Sequence, residues 1–312
     1  MKRVISILAA AILITCCLTI TKRTLTPVLM RNSNFGITPL ELQGTDILFI
    51  GSSLFRQGLD TGDLDISGKR TYQLSYNGFQ PFAEYLTLKR VLEQTDIELL
   101  VIDMYPKTIT EEPGISDTRL FQDQSFTFIY DLFSQMHQYG DADYYDLFEM
   151  IVQSNNEMFF TWPLSYPLIN ERYCRGSKIG ESAGAAPEHL NSMEIDFGDD
   201  PEPNSIQTDA LDSIIGLCSE RDIEVVFLET PKYIKTYDDA SYSDMMQSYL
   251  DFLKDKDVRV ILPDYTASQC PAFSDVEVYK FDSSDAGLFS DLIHISSDGR
   301  KVFTQTLLPL LN

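Results

Sequence analysis

The sequence predicts an α/β fold, a three-layer sandwich with a parallel β-sheet covered by helices on both faces. Three observations carry this. Short β-branched or apolar runs alternate with helical patterns from residue 46 onward. Those runs are almost continuously apolar, as strands buried on both faces must be. A chain of 312 residues at 44% hydrophobic and 23% charged can also bury a full core, which excludes a disordered chain and a disulfide-stapled miniprotein.

The predicted strands are Asp46 to Ile50 (DILFI), Tyr72 to Ser75 (YQLS), Leu99 to Asp103 (LLVID), Glu224 to Leu228 (EVVFL) and Arg259 to Leu262 (RVIL). Five strands suffice for a flavodoxin-like sheet. Pro81 to Gln94 reads as the helix between the second and third, with Pro81 in the first turn, where its missing N–H costs nothing. Phe82, Leu86 and Leu92 are among its apolar positions. Thr208 to Arg221 repeats the pattern with Leu211, Ile214, Ile215 and Cys218, Ser243 to Lys254 supplies the next crossover, and Asp298 to Leu311 closes the fold. Residues 107–204 break the rhythm: Arg119 to Asn155 reads as two aromatic-rich helices, and Phe159 to Asn204 is rich in Gly, Pro, Ser and Asn. A span that long between consecutive strands is an insertion, placed where lids and substrate walls occur.

The chain divides into an anchor at 1–23, a linker at 24–45 and the sandwich at 46–312. Val4 to Thr21 is an uncharged run of 18 between Lys2-Arg3 and Lys22-Arg23. As a helix it spans about 27 Å, enough to cross a bilayer. Ala9-Ala10-Ala11 comes too early for a cleavage site, so an uncleaved N-terminal transmembrane helix is expected, with the sandwich outside the cytoplasm. The alternative is a lipoprotein beginning at Cys16 or Cys17. Four of the 24 basic residues and none of the 47 acids lie in the first 23 positions, which leaves a formal charge of −27 on the remainder. So acidic a surface excludes nucleic acid as a partner. Cys174, Cys218 and Cys270 are scattered and odd in number, which predicts buried thiols rather than disulfides or a zinc site. No Ca-loop, P-loop or dinucleotide fingerprint occurs, so no metal, nucleotide or other cofactor is expected.

The chemistry-bearing residues stand at the two ends of the sandwich. The first strand runs into Gly51-Ser52-Ser53-Leu54, a serine pair where open α/β sheets place their ligands. Asp291 precedes His294 by three residues, close enough to hold one imidazole nitrogen while the other faces a serine. The two remaining histidines, His137 and His189, lack such a neighbour.

These motifs resemble those of the SGNH/GDSL hydrolases. Gly51-Ser52-Ser53-Leu54 is similar to their Gly-Asp-Ser-Leu block, Asn77-Gly78 to their second block, and Asp291 and His294, with Gly299 following, to their final Asp-x-x-His. The resemblance implies Ser53 as nucleophile with Ser52 in place of the acid, His294 as base, Asp291 as its orienting partner, and an oxyanion hole built from the backbone of Ser53 and Gly78. The sequence departs from the family in one place: the third strand ends Asp103-Met104-Tyr105-Pro106, without the Asn that the third block contributes to the oxyanion hole. With the anchor and insertion, the pattern looks like the envelope branch of the family, which includes the D-alanyl transfer proteins of teichoic acid modification and the alginate O-acetylation proteins. That implies an esterase or O-acyltransferase acting on acylated cell-envelope glycans or related polymers beside a membrane-bound O-acyltransferase. The alternative is a catalytically silent scaffold that keeps the fold.

Overall fold

The computed structural model of the chain describes residues 6–10, 12–14, 16–17, 20, 42–64, 68–121, 124–139, 142–156, 172–180, 182–198, 202–270 and 276–311. Its strands in chain order are β1 (Ile47–Gly51), β2 (Thr71–Ser75), β3 (Leu99–Asp103), a short pair β4 (Arg172–Cys174) and β5 (Ser177–Ile179), then β6 (Glu224–Leu228), β7 (Arg259–Pro263) and β8 (Glu277–Tyr279). All five predicted strands form, within one residue of their expected ends. The main sheet has the order β2-β1-β3-β6-β7-β8 and is parallel throughout. Its first five strands give the flavodoxin-like order expected, and the count is corrected from five to six. The extra edge strand β8 is three residues long with Val278 46% exposed, too short and too open to leave an apolar run in the sequence.

Strand residues alternate between two cores. Leu48, Ile50, Leu100, Ile102 and Phe227 face one, and Ile47, Phe49, Val101, Val226 and Ile261 face the other. This is the period-two alternation of a sheet buried on both sides. The helices of the described residues include α1 (Ser53–Gly58), α2 (Pro81–Val91), α3 (Phe126–Tyr139), α4 (Tyr144–Asn156), α5 (Ser205–Ser219), α6 (Ala240–Leu253) and α7 (Ser297–Leu307). Residues of α2, α5 and α6 fill the first core, and those of α1 and α7 the second. Two helices start three residues before the apolar pattern does, because side chains cap them. Asn204 Oδ1 accepts from Ile206 N at 2.9 Å ahead of α5, and Asp239 Oδ1 accepts from Ser241 N and Tyr242 N ahead of α6.

The insertion contributes both predicted helices, α3 and α4, and buries Phe128, Ile129, Leu132, Phe133 and Met150 in the first core. It also contributes the β4–β5 hairpin, which covers the open edge of β2: Gln73 N donates to Arg175 O at 2.9 Å, and Thr61 N donates to Ser177 Oγ at 2.9 Å. Farther on, Ser182 N donates to Ser297 Oγ and Ser297 N to Ser182 O. The segment thus ties the β2 edge to the start of α7.

Cys218 and Cys270 are buried and free, as expected. The predicted transmembrane helix falls partly outside the described residues, and the linker almost wholly so. Among the described residues no helix is long and apolar enough to cross a membrane. Residues 6–10, 12–14, 16–17 and 20 are helical and exposed.

Candidate active site

Ser53, His294 and Asp291 meet at the carboxyl edge of the sheet although 241 residues separate the serine from the histidine. Ser53 Oγ lies 2.8 Å from His294 Nε2, and His294 Nδ1 lies 2.8 Å from Asp291 Oδ2. With the Nδ1–H donating to Asp291, Nε2 accepts the Ser53 O–H. Asp291 Oδ1 accepts backbone N–H groups from Ile293 at 2.9 Å and His294 at 2.8 Å, so one carboxylate fixes both the loop and the ring. Burial alone would raise the Asp291 carboxyl. The hydrogen bond and charge of His294 and the two backbone donors outweigh it and hold the group below its ordinary value. Asp291 thus stays an anion at neutral pH. The histidine side chain is 16% exposed, reachable from solvent but largely enclosed.

Ser53 opens α1, and Ser52 caps that helix by accepting from Leu54 N at 3.2 Å. The Ser53 N–H is therefore among the helix donors that have no intrahelical partner. The second predicted donor, Gly78, lies in the turn after β2. Tyr76 N donates to Gly51 O at 3.1 Å, bringing that turn beside the turn that carries Ser53. Gly78 has φ +55°, a left-handed conformation that favours glycine, and a side chain there would strike Ser116 Oγ. Ser116 Oγ donates to Asn77 O at 2.8 Å and Asn77 N donates to Asp117 Oδ2 at 2.7 Å. Burial would raise Asp117, but the paired Arg119 side chain holds it low. The insertion therefore sets the Gly78 turn, a contribution that sequence reading missed.

It also missed Asp103. The sequence showed only that β3 lacks the expected Asn; in the structure the carboxylate that ends β3 accepts from Ser52 N at 3.2 Å and from Ser52 Oγ. Gly51 makes this possible, because a Cβ there would fall 2.2 Å from Asp103 Cβ. Behind it lies a second buried group: Lys232 Nζ donates to Thr230 O at 2.8 Å and lies 3.4 Å from Glu229 Oε1, both side chains being fully buried. Burial lowers Lys232 and raises Glu229, each partly checked by the other. Tyr105 is half-buried with its ring 5.7 Å from Lys232 Nζ, and burial together with the Glu111, Asp103 and Asp291 carboxylates raises its hydroxyl. It remains a proton donor at any ordinary pH.

The other histidines lie elsewhere. His137 stacks on Phe133 with ring centroids 5.2 Å apart, and His189 is exposed on a short helix, Pro187–Ser192. Among the described residues no group of three or more His, Cys, Asp or Glu side chains is placed to hold a metal ion.

No family model matches the chain, and no curated protein matches it. Solved structures similar to it include GDSL-like lipases and acylhydrolases. A Streptococcus pneumonia structure with the provisional name platelet activating factor shares 12% identity over 97% of this chain and 99% of its own, with a TM-score of 0.37. A Bacteroides fragilis structure provisionally named an acylhydrolase shares 12% over 88% and 92%, TM-score 0.36. A GDSL-like lipase of Bacteroides thetaiotaomicron shares 7% over 93% and 96%, TM-score 0.36.

Proposed function

We propose that the protein is a serine esterase or O-acyltransferase working through a covalent acyl-serine. The observation that carries this reading is the unbroken relay from Ser53 through His294 to Asp291 at 2.8 Å per link. As Ser53 Oγ attacks an ester carbonyl, its proton passes to His294 Nε2 and the carbonyl π electrons move to oxygen. The backbone N–H groups of Ser53 and Gly78 receive that oxyanion. When the C=O re-forms, the C–O bond to the leaving group breaks, and the departing alkoxide takes the proton from His294. Water or an acceptor hydroxyl then gives its proton to His294 and attacks the acyl carbon, and as the acyl–Oγ bond breaks Ser53 Oγ takes that proton back from His294. Asp291, anionic throughout, stabilises the imidazolium formed at each step.

The reading extends to place and substrate. The uncharged run at 4–21 and the exposed Ile7, Leu8, Ile12, Leu13, Ile14 and Ile20 support a membrane tether. The resemblance to the envelope branch supports acylated glycan as substrate and a membrane-bound O-acyltransferase as partner. The tether predicts that the full chain sediments with membranes and that removal of residues 1–23 releases it; a full chain left in the supernatant contradicts it.

The catalytic reading is tested by turnover of a short-chain activated ester. Ser53→Ala is expected to lower kcat by about 10³-fold or more. Equal turnover by both proteins would overturn the reading. Inactivity of the wild type would favour the silent scaffold, which the rim without its Asn leaves open.

A further inference from the structure

We propose that Asp103 is a positioning residue for the nucleophile, holding Ser53 in line with His294 by way of Ser52. The proposal rests on Ser53 being the nucleophile. Asp103 Oδ2 accepts both the backbone N–H and the hydroxyl of Ser52, and the same hydroxyl accepts from Leu54 N. Ser52 is thereby held by three hydrogen bonds at two atoms, its N and Oγ, with Ser53 its immediate neighbour. Two further features show a built contact. Gly51 is the only residue type that lets the β1 and β3 ends approach so closely. Asp103 is 4% exposed, and its Oδ1 is buried without a hydrogen-bond partner. A carboxylate placed there for packing alone would be a poor choice, because burying it costs more than burying an amide.

The surroundings make this contact depend on pH. Lys232 and Glu229 face Asp103 from the loop after β6, Glu84 from α2, Tyr249 from α6, Tyr279 from β8 and Tyr105 from the end of its own strand. Burial pushes the carboxyl up to about 6, against the hydrogen bonds of Ser52 and the charge of Lys232, with Glu229 adding to the rise. The tyrosines are all raised and stay neutral. Below that value Asp103 carries a proton, and the neutral acid loses the negative charge that strengthens both hydrogen bonds from Ser52. Activity therefore falls with acid as Asp103 takes up its proton.

Stability has the opposite sign. The folded value lies above the unfolded one of about 3.9, so between those two the folded chain binds the extra proton. The contribution of Asp103 to stability is then complete below about pH 4 and lost as pH rises through 6. A residue that positions the nucleophile at the expense of stability should show both effects at once.

The test follows the burst of Ser53 acylation by an activated acetyl ester from pH 4.5 to 8, together with thermal unfolding. In Asp103→Asn the acylation rate is expected to fall by about 10- to 100-fold with KM within about twofold, since a small misplacement of reacting atoms costs that much. Its acid limb should involve one proton fewer than that of the wild type, and its unfolding midpoint at pH 8 should equal or exceed that of the wild type. Ser52→Ala should share the loss of rate. Wild-type rate and acid limb in Asp103→Asn, or a rate loss matched by a lower midpoint at pH 8, overturns the proposal; so does wild-type rate in Ser52→Ala if Asp103→Asn does not fold. A wild type that is never acylated at Ser53 removes the catalytic reading itself, whereas wild-type acylation with indifferent variants removes only this inference.

Discussion

Replacing His294 with alanine is expected to lower kcat/KM for an activated ester by about 10⁴-fold or more while leaving the fold intact. The imidazole is the only base within reach of Ser53 Oγ among the described residues, and without it the hydroxyl keeps its proton at the moment of attack. The backbone of the loop does not depend on the ring. Asp291 Oδ1 still accepts from Ile293 N and from the backbone N of residue 294, and Ser290 N still donates to the carbonyl of that residue. Unfolding of the variant should therefore stay cooperative and cost no more than about 1–3 kcal/mol, the range for losing the ring's hydrogen bond to the partly buried Asp291. Steady-state kinetics and thermal unfolding on the same preparation check both halves. A loss of activity under about tenfold would mean that the relay does not carry the proton.

The largest effect on stability is expected at Lys232. Its ammonium is fully buried beside the fully buried Glu229, and Tyr242 donates to the same carboxylate oxygen that Lys232 faces. Tyr105 and Tyr242 present their rings at 5.7 and 5.6 Å. Lys232→Met would leave the Glu229 carboxylate buried and uncompensated, at a cost of about 3–5 kcal/mol. The double variant Lys232→Met/Glu229→Gln should recover most of the loss, because removing both charges removes the desolvation penalty as well. Urea unfolding of the two variants measures this. A loss below about 1 kcal/mol in the single variant would show that the pair does not stand as ions in the folded protein.

How much of this was legible in the sequence depended on how local each signal was. Strands β1, β3 and β6 declared themselves because burial on both faces demands unbroken apolar runs, and DILFI, LLVID and EVVFL have them. The meeting of Ser53, His294 and Asp291 was legible because both motifs are short: Asp291 and His294 are three residues apart, and Ser53 follows a strand directly. What stayed hidden depends on register between distant segments. Asp103 meets Ser52 only because Ile47↔Leu99 to Ile50↔Ile102 is the pairing of β1 with β3, so the end of the third strand read as a missing Asn rather than as an acid on the neighbouring turn. Ser116 and Asp117, early in the insertion, reach back to Asn77 across about forty residues that include α2 and β3, with no pattern to announce it. The edge strand β8 and the β4–β5 hairpin are three residues per strand, too short for periodicity; the Arg175-Gly176 turn, with φ of 49° and 85°, was the one local cue to the hairpin.

The most direct test of the central claim is the intact mass and peptide map of the full chain after brief reaction with an activated acetyl ester, quenched in acid. The relay predicts one acetyl group on the peptide carrying Ser53, absent from Ser53→Ala and strongly reduced in His294→Ala. Acetylation elsewhere, or an equal yield in all three proteins, would contradict it.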